Sequence, residues 1–293
     1  MKYKNIYIAV FIITGFLVLN RCYWLVKSLS MHIALFDSFQ SIIQHLTTLI
    51  ALAGLIIFGA TKFKRPELLC LYFSMVIIVS PLNVLYYKTA FSATQFYHPD
   101  SWTWFSLGVD AISLITASVG LWVITRQKQL KLHYIFIGQE AIAEFAPASR
   151  WKRFFNYLTD SLLIIYAVYL YISIMGIISA FSEDPYEFRR SIARSQLIPL
   201  FFYFFYYLVF EGIFKTTPGK SLTNTIIVNA EGKRPGFGQM IGRTFCRFIP
   251  FDGLSFFKSD RHGWHDSVTG TYVVDASMPS DQPDPLPAPE DLL

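Results

Sequence analysis

The chain has 293 residues, of which 53% are hydrophobic and only 15% are charged, and its net charge is +5. Soluble domains usually contain about 25% charged residues. One soluble core could not bury so much apolar surface, so the composition favours a protein that lies in lipid. In such a protein, positive charge marks cytoplasmic loops, and we expect no nucleic-acid binding.

Six segments are long and apolar enough to form transmembrane helices, which need about 20 residues each. The first follows two lysines and is not succeeded by a small-residue cleavage site, so we expect a retained helix rather than a signal peptide. Single acidic residues interrupt the last three segments. The predicted spans lie within 5–26, 38–61, 68–87, 102–125, 154–181 and 195–214.

The positions of lysine and arginine predict the orientation. When both termini are placed in the cytoplasm, most basic residues fall on the inner side, as the positive-inside rule requires. Trp24 and Trp102 then lie at the outer ends of their helices, where an aromatic belt is expected. The bilayer is therefore the predicted partner of the chain, and its anionic inner surface would attract the basic loops.

The sequence divides into four predicted parts. A four-helix transmembrane module occupies 1–126, and a polar cytoplasmic connector follows at 127–149. Two further spans and a cytoplasmic segment form 150–276. The proline-rich tail at 277–293 is predicted to be disordered. The fold class is thus an all-α polytopic membrane protein with a short hairpin-like and interfacial-helix segment near its C-terminus.

Short elements are also predicted outside the spans. The stretch 133–138 is either a strand or an interfacial segment. A β-branched run at 223–229 predicts a strand, and 269–274 predicts its partner. Between them, 237–248 is predicted to be a helix that ends before Pro250.

Three motifs carry a family resemblance. They are APASRWKRFFNYLTD at 146–160, EGIFKTTPGK at 211–220 and RHGWHD at 261–266. In this order they resemble the RDD family of bacterial membrane proteins, which is named for one arginine and two aspartates. Arg153 and Asp160 match the arginine and the first aspartate, and Asp266 matches the second aspartate.

The resemblance implies a location in the bacterial cytoplasmic membrane. For some family members it also implies exchange of sodium or other monovalent cations for protons. Many members have a third span before the closing motif, whereas here 237–257 contains several charged residues. We therefore expect an interfacial or re-entrant helix in this segment.

Acidic residues within the spans are candidates for ion handling. A charged side chain at mid-bilayer costs about 2.5–3.5 kcal/mol on insertion scales, so it usually faces protein or water. Asp160, alone or with Asp110, could bind a proton or a cation. Glu211 lies near an inner helix end, from which its side chain could extend to water.

A structural role for the same charges is the alternative. Arg243 and Arg247 are suitable partners for Asp160 or Glu211, and such pairs would hold the cytoplasmic segment on the helices. Arg153 lies seven residues before Asp160, about 10 Å along a helix, and is a less suitable partner.

No motif predicts catalysis or a cofactor. His262, His265 and Asp266 form an H-x-x-H-D pattern, but zinc needs about four ligands and no second ligand cluster is evident, so a hydrogen-bonded turn is favoured over a metal site. The sequence contains no nucleophile elbow, H-E-x-x-H motif or dinucleotide fingerprint. We therefore expect a protein that is not an enzyme.

Two functions remain open. One is exchange of monovalent cations for protons through intramembrane carboxylates. The other is a non-catalytic scaffold or accessory module for unknown partner proteins, in which the charges form structural ion pairs. The sequence shows no inverted repeat of the transporter kind, which weighs mildly against the first.

Overall fold

Apolar helices dominate the chain, as the lengths of its apolar runs predict. The computed structural model describes residues 4–30, 39–93, 101–127, 133–137, 140–144, 147–180, 186, 190, 197–250, 252, 255 and 263–276. The predicted disordered tail at 277–293 and the side chains of His262, Trp24 and Trp102 lie outside the described residues.

The first half of the chain forms four helices and one hairpin. The helices are α1 (Lys4–Ser30), α2 (Phe39–Ala60), α3 (Glu67–Ala93) and α4 (Ser101–Gln127). The connector contains the antiparallel strands β1 (His133–Ile137) and β2 (Glu140–Glu144), so residues 133–137 of the stretch singled out in the sequence form a strand.

The second half alternates helices with two strands. Its elements are α5 (Arg150–Ala180), α6 (Ile198–Tyr207), a π-helix (Leu208–Ile213), α7 (Pro218–Leu222), β3 (Thr225–Asn229), α8 (Phe237–Cys246), α9 (Trp264–Thr269) and β4 (Thr271–Asp275). The predicted strands, and the helix between them, are therefore present.

Four of the described helices are long and apolar enough to cross a bilayer. They contain the stretches Asn5–Lys27, Glu67–Leu85, Trp104–Arg126 and Arg150–Gly176. The apolar stretches His45–Ala60 and Ile198–Ile213 are shorter. The mostly helical, membrane-type fold agrees with the sequence, and the number of six spans stays a prediction.

The chain forms two compact units. The helical unit consists of Met1–Gln127 and Thr159–Tyr206, and the C-terminal unit consists of Lys128–Leu158 and Tyr207–Leu293. The sequence places a division between 149 and 150. In the structure, the first turns of α5 contact the segments that follow the π-helix and belong to the C-terminal unit, and the boundary from the sequence stays a prediction.

In the helical unit, α3 packs between α2 and α4. Glycine allows the close approach: a Cβ added at Gly120 would lie 2.6 Å from the ring of Phe73. The outward side chains are apolar, and Phe16 on α1 is 74% exposed. An outer surface of this kind suits lipid rather than water.

An aromatic cluster holds the turn between α2 and α3. Lys62 and Phe63 both adopt a left-handed backbone conformation, with φ of 51° and 68°. The Phe63 ring packs edge-on against Phe11 and Phe58, at centroid distances of 5.6 and 5.1 Å. These ring contacts offset the backbone strain that a non-glycine residue incurs there.

The C-terminal unit is built around the pair of β3 and β4. The strands are antiparallel, with Ile227 opposite Val273. The chain that leads into α5 joins them, since the amide of Ala148 donates to the carbonyl of Val273 at 2.9 Å. Met240 of α8 completes this small apolar core.

The turn after the π-helix is fixed by α7. Thr217 caps this helix by accepting a hydrogen bond from the amide of Lys220 at 3.3 Å, and Pro218 occupies the first turn. Gly219 lies directly against the backbone of Asn156 on α5. A Cβ at this position would be 2.8 Å from the Asn156 Cα.

Replacing Gly219 with alanine should therefore destabilise the protein. The added methyl group would contact backbone, which cannot move as a side-chain end can. We expect a loss of roughly 1–3 kcal/mol, measured as a lower midpoint of thermal unfolding in detergent or nanodiscs.

Gly238 provides the matched control. It lies on α8, and a Cβ there would have no atom within 4 Å. Gly238→Ala should leave the midpoint unchanged or raise it, because alanine favours a helix. Equal midpoints for the two variants would contradict the close contact at Gly219.

Candidate functional site: a buried network of ion pairs

Glu211 lies in the π-helix that continues α6. The wider turn is seen in the hydrogen bond from the amide of Phe214 to the carbonyl of Val209, at 3.3 Å. Single π-helical turns are rare and occur often at functional sites. Glu211 is fully buried, so its side chain does not extend to water as its place near a helix end suggested.

Three basic side chains surround the Glu211 carboxylate. Lys220 Nζ lies 2.5 Å and Arg247 Nη2 lies 2.8 Å from Oε1, and Arg243 Nε lies 3.4 Å from Oε2. Arg247 also stacks on Tyr207, with its guanidinium carbon 4.0 Å from the ring centroid. Helices α7 and α8 are thus both attached to the π-helix through one carboxylate.

Arg243 connects this carboxylate to a second one. Its Nη1 donates to Asp266 Oδ1 and to the hydroxyl of Thr271. The other Asp266 oxygen accepts from Arg153 Nη2 at 2.6 Å. The network therefore joins α5, the π-helix, α8, α9 and β4.

The position of Asp266 depends on the start of α9. The Asp266 carboxylate accepts a hydrogen bond from the amide of Gly263 at 3.3 Å, as acidic residues commonly do in a first helical turn. Burial by itself would raise the pKa of Asp266. The positive charges of Arg243 and Arg153 outweigh it and hold this pKa well below its usual range.

His265 belongs to a second layer around the network. Its Nδ1 lies 2.6 Å from Asp252 Oδ2, and its amide donates to Asp252 Oδ1 at 3.0 Å. Burial and the charge of Arg247 lower the pKa of His265 to about 4. The imidazole is therefore neutral at physiological pH, with its proton on Nδ1 facing the aspartate.

The network carries more positive than negative charge. Four basic side chains surround the carboxylates of Glu211 and Asp266. Such an arrangement suits a structural role, because each oxygen of these two carboxylates accepts a hydrogen bond from a basic side chain.

Asp160 lies in the helical unit rather than in this network. It is buried on α5, and Oδ1 accepts a hydrogen bond from the hydroxyl of Tyr206 at 2.7 Å. A carboxyl group next to a phenolic hydroxyl in an apolar helix bundle is chemically suited to gaining and losing a proton.

Asp110 has polar neighbours from two other helices of the helical unit. The side chain of Asn83 on α3 hydrogen-bonds to it, and Arg21 on α1 interacts with its charge. Arg21 and Asn83 also line a cavity of about 40 Å³, together with Ser80 and Tyr166. A polar cavity of this size has room for a few water molecules.

The structure separates the predicted site residues into two groups. Arg153, Glu211, Arg243, Arg247 and Asp266 come together in the C-terminal unit. Asp160 and Asp110 lie in the helical unit. Among the ion pairs of the described residues, Arg243 contacts Glu211 and Asp266, and Arg247 contacts Glu211.

Three important residues were not selected from the sequence. Lys220 lies nine residues after Glu211 in the motif EGIFKTTPGK, but no pattern in the sequence indicates that the two side chains pair. Tyr206 and Asp252 gave no signal, because a single tyrosine or aspartate has no spacing to interpret. Within the histidine pattern, His265 lies in α9 rather than in the expected turn, and its amide and its Nδ1 both hydrogen-bond to Asp252.

Comparison with known proteins agrees with the resemblance in the sequence. Residues 147–270 match the model of the RDD family. The Bacillus subtilis (strain 168) protein YxaI, described as uncharacterised, is 26% identical over 148 residues, which cover 44% of this chain and 97% of YxaI. No solved structure matches the chain significantly.

Removing the charge of Asp266 should strongly destabilise the protein. Asp266→Asn leaves Arg243 and Arg153 buried beside a neutral side chain, and breaking a buried pair typically costs about 3–5 kcal/mol. We expect the midpoint of thermal unfolding in nanodiscs to fall by roughly 10 °C.

The exposed pair of Glu231 and Lys233, whose atoms are 3.1 Å apart, serves as the control. Glu231→Gln should shift the midpoint by about 2 °C or less, since exposed pairs contribute little. If Asp266→Asn unfolds at the wild-type temperature, the network does not stabilise the fold.

Acidification should destabilise the protein through His265. In the unfolded chain this imidazole has its ordinary pKa of 6.5, whereas in the folded chain the pKa is about 4. The unfolded state therefore binds the proton first, and stability falls as the pH decreases from 6.5 to 4. The full effect is at most about 3 kcal/mol.

Unfolding midpoints between pH 7.5 and pH 4.5 measure this effect. His265→Asn retains a donor toward Asp252 but does not titrate, so its midpoint should fall less steeply with acid than the wild type. Gly238→Ala, which changes no titratable group, should retain the wild-type dependence. Parallel curves for His265→Asn and wild type would contradict the assignment.

Proposed function

We propose that this membrane protein, whose residues 147–270 match the model of the RDD family, exchanges monovalent cations for protons through intramembrane carboxylates. The exchange takes place across the bacterial cytoplasmic membrane, with both chain termini in the cytoplasm. The carboxylates lie in the helical unit, and the network in the C-terminal unit holds the fold.

The observation that supports this proposal most is the environment of Asp160. Its carboxylate is buried on an apolar helix and accepts a hydrogen bond from the Tyr206 hydroxyl at 2.7 Å. A carboxylate buried among apolar helices can bind a proton or a small cation. Exchange follows when the cation replaces the proton on this carboxylate.

The cavity in the helical unit supplies a second reason. Tyr166 lines it and lies six residues after Asp160 on α5, about 9 Å along the helix. Arg21 and Asn83 line it as well, and both interact with Asp110. Water in this cavity would bring protons and cations close to the carboxylates that bind them.

The alternative is a non-catalytic scaffold or accessory module for partner proteins. The buried network favours it, since five of the predicted site residues form ion pairs there. Under this alternative, Asp160 and Tyr206 form a further structural contact. The two functions predict different results for a variant that is folded but has lost the Asp160 charge.

Asp160→Asn should abolish cation-dependent proton movement while the protein remains inserted. The amide keeps the size of the carboxyl group and still accepts a hydrogen bond, but it cannot exchange a proton. The assay uses the purified full chain in liposomes with an internal pH dye, and sodium, potassium and lithium salts are added outside.

Two controls separate transport from folding. Leu162→Asn places the same amide on an exposed position of α5 and should leave exchange unchanged. Tyr206→Phe removes only the hydroxyl and should shift the pH at which exchange is half-maximal. If Asp160→Asn inserts, unfolds at the wild-type temperature and exchanges normally, the proposal is wrong and the accessory function is favoured.

A further inference from the structure

Helix α8 has the reverse of the polarity expected in water. Its inward face carries Met240, Thr244 and the charged Arg243, all of which are buried. Its outward face carries phenylalanines, with Phe237 58% and Phe245 57% exposed. A helix on a water-facing surface would have its polar residues outside and its apolar residues inside.

The outward residues follow the helical repeat. Phe237, Ile241 and Phe245 are four residues apart and lie on one face, and Ile249 continues the series just beyond the helix. We call these four residues the outer stripe. A stripe of this length exceeds the scattered apolar residues of an ordinary soluble surface.

The neighbours of α8 locate it beside a hydrophobic helix. Arg243 reaches Glu211 at 3.4 Å, and a Cβ added at Gly212 would lie 3.5 Å from the Phe237 ring. Both Glu211 and Gly212 are part of the apolar stretch Ile198–Ile213. The helix α8 therefore runs alongside the end of a segment whose composition suits lipid.

Basic side chains flank the start of α8. Lys215 Nζ lies 5.9 Å from the centroid of the Phe237 ring. Lys233 and Arg234 are exposed in the turn before α8, with the Lys233 side chain 75% exposed. Basic groups beside an inserted apolar face are complementary to anionic phospholipid, whose phosphates lie just above the acyl chains.

We propose that α8 lies in the surface of the bilayer, with the outer stripe among the acyl chains and with Lys215, Lys233 and Arg234 beside anionic headgroups. Arg243 points the opposite way, into the ion-pair network, so one helix separates a lipid-facing side from a charged interior. The occupant of the outer stripe is lipid rather than a second copy of the chain or another protein.

Spin labels on single cysteines test this arrangement in the full chain. The three native cysteines are first replaced with alanine, and labels are placed at Phe245→Cys and Ile249→Cys in the outer stripe. Both positions are exposed, so neither change removes core packing. Glu231→Cys, in the turn after β3, is the water-facing control.

In nanodiscs containing phosphatidylcholine and phosphatidylglycerol, the two stripe labels should collide with oxygen and be protected from a water-soluble nickel chelate. The expected depth is about 5–10 Å below the headgroups. The label at position 231 should show the opposite preference. Nickel collision at the stripe equal to that at position 231 would overturn the proposal, as would protection from both reagents, which indicates a protein partner.

The charge component has its own test. Replacing phosphatidylglycerol with phosphatidylcholine should raise nickel collision at position 245 at least twofold. The double variant Lys233→Gln and Arg234→Gln should remove this dependence on lipid charge. If the label at position 245, with Lys233 and Arg234 unchanged, shows the same nickel collision in both lipids, the headgroup assignment is wrong.

Discussion

The C-terminal unit depends on the burial of one guanidinium group. Arg243 is fully buried and joins Glu211 of the π-helix to Asp266 of α9. Removing an ion from water costs several kcal/mol unless partners with good geometry replace the solvent. The π-helix, α8 and α9 can therefore be buried only together. The strand pair, α7 and the start of α5 pack against these three segments.

The π-helix and Gly219 are local consequences of the same requirement. A regular helix ending at 213 would turn Glu211 away from its present direction, since each residue rotates the side chain by about 100°. The wider turn directs this carboxylate toward Lys220, Arg243 and Arg247 together. The chain then turns into α7, which places Gly219 against the backbone of α5, where a side chain would not fit.

Sequence patterns could predict the strands β3 and β4 and the helix α8, but not the ion pairs between distant residues. The strands are evident from β-branched runs, and α8 is evident from its apolar spacing, because both signals are local. The bond from Arg153 to Asp266 joins residues 113 positions apart, and no local pattern encodes such a distance. The interaction of Arg21 with Asp110 is likewise not predictable, because the sequence does not fix how neighbouring helices rotate toward each other.

The long span of chain between Arg153 and Asp266 has a consequence for biosynthesis. At translation rates of 5–20 residues per second, Arg153 waits on the order of ten seconds before its partner leaves the ribosome. During that interval the Arg153 side chain lacks the Asp266 carboxylate. A segment made after α8 thus completes the network, and ribosome stalling after α8 would leave Arg153 and Arg243 without this partner.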